Sequence, residues 1–243
     1  MAKKQDTWRD NVKTLVIAVL IAIGFRSFLF EPFNIPSGSM IPTLLVGDYL
    51  FVSKYSYGYT RYSFPFGIIP IEDRIAASEP ERGDVVVFRL PSNVSVDYIK
   101  RVIGMPGDKV QLKSGILYIN DEEVPRRLIG PASVQMGNRD ITAQAYEESL
   151  PNGKSYIIHE IGNFDRVDNT AIYTVPENHY FMMGDNRDNS KDSRFLDIGT
   201  VPFENLVGRA EFMFFSTDQS ARIWEIWKWP MAIRFGRIGQ TID

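Results

Sequence analysis

Three short stretches of this sequence carry side chains able to do chemistry. The first, Pro36-Ser37-Gly38-Ser39-Met40-Ile41-Pro42-Thr43, sets a serine between a glycine and an apolar residue in a proline-flanked turn. Such a serine can stand exposed as a nucleophile, and Gly38 lets a substrate backbone or an oxyanion come close. The same Ser-Gly-Ser string also describes an ordinary turn. A serine hydroxyl needs a base, and imidazole is poorly supplied. His159 and His179 are far apart in the chain, and each reads as a satisfied polar residue. No Gly-x-Ser-x-Gly elbow and no Ser-x-x-Lys arrangement of the penicillin-recognising kind occurs. A lysine can serve instead, provided desolvation lowers its pKa toward neutrality.

The second stretch, Val96-Asp97-Tyr98-Ile99-Lys100-Arg101-Val102-Ile103, offers that lysine on a strand-like run. Alternation puts Lys100 and Arg101 on opposite faces, so one can enter a core while the other meets a carboxylate. Taken alone, a lysine in a strand is usually a surface residue. The acid Asp97, close by in the chain, would favour the ammonium, against the effect of burial. The third stretch, Met183 to Arg194, is so dense in Asp, Asn, Arg and Ser that it reads as a loop knitted by side-chain hydrogen bonds. Asp185, Asp188 and Asn189 are oxygen donors of the calcium-loop type. Arg187 and Arg194 oppose a cation there, and the EF-hand glutamate is missing, so no metal is expected.

These stretches need a scaffold. Short β-type runs punctuated by Gly and Pro follow Pro32, among them Tyr49–Ser53, Asp84–Leu90, Lys109–Lys113 and Ile116–Ile119, with a turn signal at Asn120 to Glu123. They predict a mainly β fold with an antiparallel-sheet catalytic core. The stretch from 113 to 176 differs in character and reads as an inserted β subdomain, the core resuming near Tyr180. Residues 55–70, rich in Tyr, Phe, Gly and Pro, suggest an extended hairpin or loop. Ahead of all this, Leu15 to Phe25 is uninterrupted apolar or small. Val12 to Phe30 is long enough for one transmembrane helix if Lys13 and Arg26 snorkel. Lys3, Lys4, Arg9 and Lys13 precede the run, which predicts a cytoplasmic N-terminus. The chain after it lacks a small-residue cleavage pattern, so an anchor is favoured over a cleaved leader.

Bulk properties remove other classes. The chain has 243 residues, 44% of them hydrophobic, enough for a substantial core. A net charge of -3 gives no nucleic-acid footprint, and Arg126-Arg127 reads as solvated surface. With no cysteine, disulfides, thiolate metal sites and cysteine nucleophiles are excluded together.

The three stretches, together with Arg82-Gly-Asp-Val-Val-Val-Phe-Arg-Leu-Pro91 and the continuation of the second through Gly104-Met-Pro-Gly-Asp108, resemble blocks of the bacterial type I signal peptidases, the leader-peptidase family. Their order and spacing match as well, from the anchor to about Phe214. The resemblance implies Ser39 as the acylated nucleophile and Lys100 as general base. It makes Ser37 and the Ser39 N–H the oxyanion hole, and Ser190 the group that hydrogen-bonds and orients Lys100. Asp185 with Arg101, and Asp192 with Arg194, would be supporting ion pairs. Phe33, Ile35, Met40, Leu44, Leu50, Val87 and Ile99 would line shallow clefts that admit small side chains at the first and third residues before the cut.

The partners so implied are preproteins bearing signal peptides and a phospholipid bilayer, with no cofactor, metal or nucleic acid. The implied place is a bacterial inner membrane, crossed once, with the catalytic part on the periplasmic or outer face. Some members of the family carry two N-terminal spans where this chain shows one. The expected organisation is 1–30 for cytoplasmic N-terminus and anchor, 31–112 and 177–217 for the core, 113–176 for the cap, and 218–243 for an aromatic segment. That last segment, with Trp224, Trp227 and Trp229, suits either a membrane interface or core packing. A relative specialised for one pilin or conjugation substrate, a self-cleaving repressor-type protease and a tethered binding protein are the competing readings.

Overall fold

The computed structural model describes residues 8–64, 71, 73–136, 139–162, 165–222 and 224–242. Lys3, Lys4, residues 65–70 of the aromatic loop and Ile223 lie outside that set. Helix α1 runs Trp8–Phe28, and Ser27 is its buried residue. A core helix would bury a continuous stripe, whereas this one shows its apolar side chains on every face. At ~1.5 Å per residue its 21 residues span about 31 Å, the thickness of a bilayer's hydrocarbon core. The helix starts before Val12 and stops before Phe30, because Phe30 is already paired to Ser53 as the first residue of a strand.

The expected mainly antiparallel β architecture is the one found. Strands β1 (Phe30–Asn34), β2 (Asp48–Ser53), β3 (Val85–Leu90) and β4 (Asn93–Gly104) are followed by β5 (Lys109–Lys113), β6 (Ile116–Ile119) and β7 (Glu122–Glu123). Then come β8 (Arg126–Met136), β9 (Arg139–Ser149), β10 (Ser155–Glu160), β11 (Tyr173–Thr174), β12 (His179–Met183), β13 (Val201–Pro202) and β14 (Leu206–Ser216). A seven-stranded sheet has the order β1-β2-β14-β3-β4-β12-β13. Every neighbouring pair in it is antiparallel. The unbroken Val-Val-Val-Phe of β3 marks a strand covered on both sides. Val85 and Val87 enter one apolar cluster with Leu50 and Leu44, while Val86 and Phe88 enter another with Tyr180 and Met182.

Two smaller sheets, β11-β5-β6-β7 and β10-β9-β8, are built from residues 109–174. The chain therefore leaves the large sheet at Gly104, earlier than the boundary at 113 expected from composition. A third cluster joins Ile103, Phe181 and Met183 of the large sheet to Val110, Leu117 and Ile158. The Asn120-Asp121 turn between β6 and β7 holds both residues at positive φ, 54° and 67°, a conformation these two residue types tolerate.

Polar contacts tie the helix to the sheet. Glu31 accepts from Arg26 at 2.5 Å and pairs with the buried Lys54 at 2.8 Å. Burial pushes the Glu31 carboxyl up, but Lys54 and Arg26 outweigh it and hold the group below its ordinary pKa. At the other end, the C-terminal segment folds back on β14 through bridges Thr217–Ile233 and Phe212–Thr241. Its Ala232 and Ile242 are buried, while Trp224, Ile226, Trp227 and Met231 stay exposed.

Candidate active site

Between β1 and β2 the chain makes a closed loop whose ends are stitched by Ile35 N–H to Asp48 O (2.8 Å) and Gly47 N–H to Ile35 O (3.0 Å). Gly47 sits at φ +89°, and a Cβ there would stand 2.0 Å from the Thr217 carbonyl oxygen, so the closure requires glycine. The loop carries Ser39, 8% exposed. The loop after β12 grips it: Asn186 donates from its backbone N–H to Ser39 O (3.1 Å) and from Nδ2 to Gly38 O (2.8 Å). Thr43 Oγ1 donates to Asp185 Oδ2 at 2.5 Å. The C-terminal segment grips the far side. Arg237 pairs with buried Asp48 at 2.6 Å and donates to Thr43 O at 2.9 Å.

On β4 the alternation of Lys100 and Arg101 sends each to a different partner. Lys100, 4% exposed, has its Nζ 2.7 Å from Ser39 Oγ and donates to Ile99 O at 2.9 Å. Burial lowers its pKa to about 8. Asp192 and Asp185 oppose the shift and Arg194 assists it. Asp97 plays no part in that balance and instead pairs with Arg89 at 3.1 Å.

The carboxylates near the lysine are committed elsewhere. Arg101 forks onto Asp185 at 2.9 and 2.8 Å, and Arg194 forks onto Asp192 at 2.8 and 2.9 Å. Both pairs are buried. Burial pushes the Asp192 carboxyl up, yet Arg194 and the Gly184 N–H together hold it low. Paired in this way, the two acids attract Lys100 less than free carboxylates would.

Ser190 is buried close by, but no hydrogen bond joins it to Lys100, whose amine is taken up by Ser39 and Ile99. The packing here is tight. A Cβ on Gly184 would come within 2.2 Å of Ser190 Oγ and 2.5 Å of Ser39 O. His159 donates its backbone N–H to Asp185 O, and burial lowers its imidazole pKa; His179 is a partly exposed residue whose Nδ1 lies against Glu177 O. Neither ring is joined to Ser39 by a hydrogen bond among the described residues.

A groove of about 580 Å³ opens at Ser39 and Lys100, lined also by Phe33, Ile35, Ser37, Val87 and Ile99 and by Val96 to Tyr98, Asn189 and Lys191. Met40, Leu44 and Leu50 are not in its wall. All three are wholly buried in the cluster that also holds Ile35 and Val87, so they form the packing beneath. Leu44→Ala is therefore expected to cost about 2–5 kcal/mol in urea unfolding. An unchanged urea midpoint would return Leu44 to the wall.

Several residues that hold the site carried no sequence signal of their own. Glu148 and Tyr156 sit in unremarkable strands. Arg187 counted only as an argument against a cation, yet it forks onto Glu148 at 3.0 and 2.5 Å. Thr43, Asn186 and Arg237 are recognisable only once the loops are folded together.

Comparison with known proteins shows the family to which this chain belongs. The family model described as signal peptidase, peptidase S26, matches residues 8–215. A signal peptidase I of Rickettsia typhi is 45% identical over 223 residues, covering 88% of this chain and 83% of the relative. One from Rickettsia canadensis is 46% identical over 219 residues, covering 87% and 81%. The crystal structure of a signal peptidase I from Enterococcus faecalis, 25% identical, covers 54% of this chain and 97% of its own, with a TM-score of 0.32. With the family model spanning most of its length and relatives this similar, the chain belongs to the signal peptidase S26 family.

Proposed function

We propose that this chain is a membrane-bound serine endopeptidase that removes signal peptides from exported preproteins, with Ser39 as nucleophile and Lys100 as base. The observation that carries the reading is the 2.7 Å approach of Lys100 Nζ to Ser39 Oγ in a buried site. In the first step the neutral amine takes the Ser39 proton as Oγ attacks the scissile carbonyl carbon. The resulting oxyanion accepts hydrogen bonds from the Ser39 N–H and the Ser37 hydroxyl, each worth roughly 3 kcal/mol to the transition state. Lys100 then returns the proton to the leaving amine as the C–N bond breaks. Water, deprotonated by the same amine, hydrolyses the acyl ester and restores Ser39. Ser190 would orient Lys100 once substrate has displaced the present contacts. The Arg101–Asp185 and Asp192–Arg194 pairs would keep the loop in place.

Substrate would lie along β4. Strand β12 pairs only with Arg101 to Gly104, so the outer edge of β4 from Asn93 to Ile99 is unpaired among the described strands. An extended peptide added there gains main-chain hydrogen bonds without sequence demands. Alternate side chains would meet Phe33, Ile35, Val87 and Ile99, a shallow apolar floor that rejects large residues by size. Helix α1 would cross an inner membrane once, with Arg9 and Lys13 on the cytoplasmic side and the sheets outside. The aromatic 218–243 segment would rest at that membrane's surface. The test is cleavage of an exported preprotein by the detergent-solubilised full chain, followed by N-terminal sequencing of the product. A single cut after a small residue is expected; an uncut precursor, or cuts scattered over unrelated sites, would refute the reading.

A further inference from the structure

The two small sheets supply a group that reaches the loop after β12. Glu148, at the end of β9, is completely buried, and its two carboxylate oxygens face the two terminal nitrogens of Arg187. Tyr156, across on β10, donates its hydroxyl to the same carboxylate at 2.5 Å and accepts from Arg187 at 3.1 Å. The ring of Tyr156 is the floor on which the Arg101 guanidinium stacks, 4.2 Å from its centroid. Arg187 is also the residue whose carbonyl oxygen accepts from Arg194 at 2.5 Å. A chain of buried contacts thus runs from Glu148 through Arg187 to Arg194 and Asp192, and through Tyr156 to Arg101 and Asp185. Of these four, Asp192, Asp185 and Arg194 are the charges that act on Lys100. Backbone contacts support the same seam, for His159 N–H donates to Asp185 O and Ile161 N–H to Asp188 Oδ2.

We infer that Glu148 is a positioning residue for the base, holding Arg187 so that both ion pairs beside Lys100 keep their geometry. The inference rests on the proposed Ser39–Lys100 reading and gives the inserted sheets a part in the chemistry. A buried ion pair that loses one partner leaves the other uncompensated, whereas one replaced entirely by neutral groups of similar size costs far less. An unpaired Arg187 would compete with Arg101 for Asp185 and pull the loop away from Lys100. The damage should therefore appear mainly in turnover, because neither Glu148 nor Arg187 lines the groove.

The experiment measures kcat and KM on a signal-peptide-derived peptide for the full-length wild type, Glu148→Gln and Glu148→Gln/Arg187→Met, with folding checked by circular dichroism. Glu148→Gln should lower kcat about tenfold or more with KM within about twofold, and the double variant should regain most of that loss. A folded Glu148→Gln enzyme with wild-type kcat, or a loss confined to KM, overturns the inference. So does a double variant no better than the single one. Should Glu148→Gln not fold, the double variant decides alone: kcat within about tenfold of wild type upholds the inference, while a larger loss or failure to fold overturns it. A wild-type chain that does not cleave the peptide would instead refute the underlying Ser39–Lys100 reading.

Discussion

Ser39→Ala is expected to lower kcat by at least about 10⁴-fold, and Lys100→Ala to do so equally, with the double variant no worse than either. The equality follows from the geometry. Ser39 Oγ has Lys100 Nζ as its partner at 2.7 Å, so the hydroxyl loses its base when the amine goes and the amine loses its task when the hydroxyl goes. Stability should separate the two. Removing the Ser39 hydroxyl leaves the loop held by Asn186, Asp185 and Arg237, and melting should barely change. Removing the Lys100 side chain empties a buried, stem-filled space and should cost measurable stability. Precursor cleavage and thermal melting, measured on the same preparations, check both statements. Substantial cleavage by either single variant would exclude the dyad.

Asp185→Asn has the second-largest expected effect, and it acts on fold and chemistry together. Asp185 is 1% exposed, accepts a bidentate fork from Arg101 and a bond from Thr43, and so ties β4 to both the Ser39 loop and its own loop. The substitution leaves the Arg101 guanidinium buried without its carboxylate, at a cost of about 3–5 kcal/mol. Turnover should fall with it as Thr43 and Arg101 shift. The pH profile gives an independent sign. Asp185 is one of the carboxylates that raise the Lys100 pKa, so its loss lets desolvation act with less opposition. The Lys100 pKa then drops, and the residual activity should persist to lower pH than in wild type. Full activity with an unmoved profile would show that the pair does not support the site.

Much of the site could be read from the sequence because its chemistry is carried by compact blocks. Ser39, Lys100 and the Met183–Arg194 loop each sit in a run of distinctive composition. Strand alternation at Lys100-Arg101 also allowed one side chain to go to a core and the other to a carboxylate. The long apolar N-terminal helix and the β strands followed from hydrophobic patterning. What could not be read depends on packing across long separations. Met40, Leu44 and Leu50 are apolar residues near the nucleophile, and nothing in their pattern distinguishes a groove wall from the layer beneath it. Ser190 lies in the right loop, yet the Lys100 amine bonds Ser39 and the Ile99 carbonyl instead, which no sequence pattern foretells. Glu148 lies in an alternating strand where a charged residue normally faces water. The approach of Arg187 from a loop 39 positions away, with the Tyr156 hydroxyl, makes its burial tolerable.

The central claim, that a neutral lysine activates Ser39, is tested most directly by kcat/KM for a peptide substrate as a function of pH, which reports ionisations of the free enzyme. Wild type should lose activity on the acid side as Lys100 gains its proton, with the midpoint near its lowered pKa of about 8. His159→Ala/His179→Ala should show the same limb at the same place. A limb in the ordinary imidazole range that disappears in the double histidine variant would contradict the account.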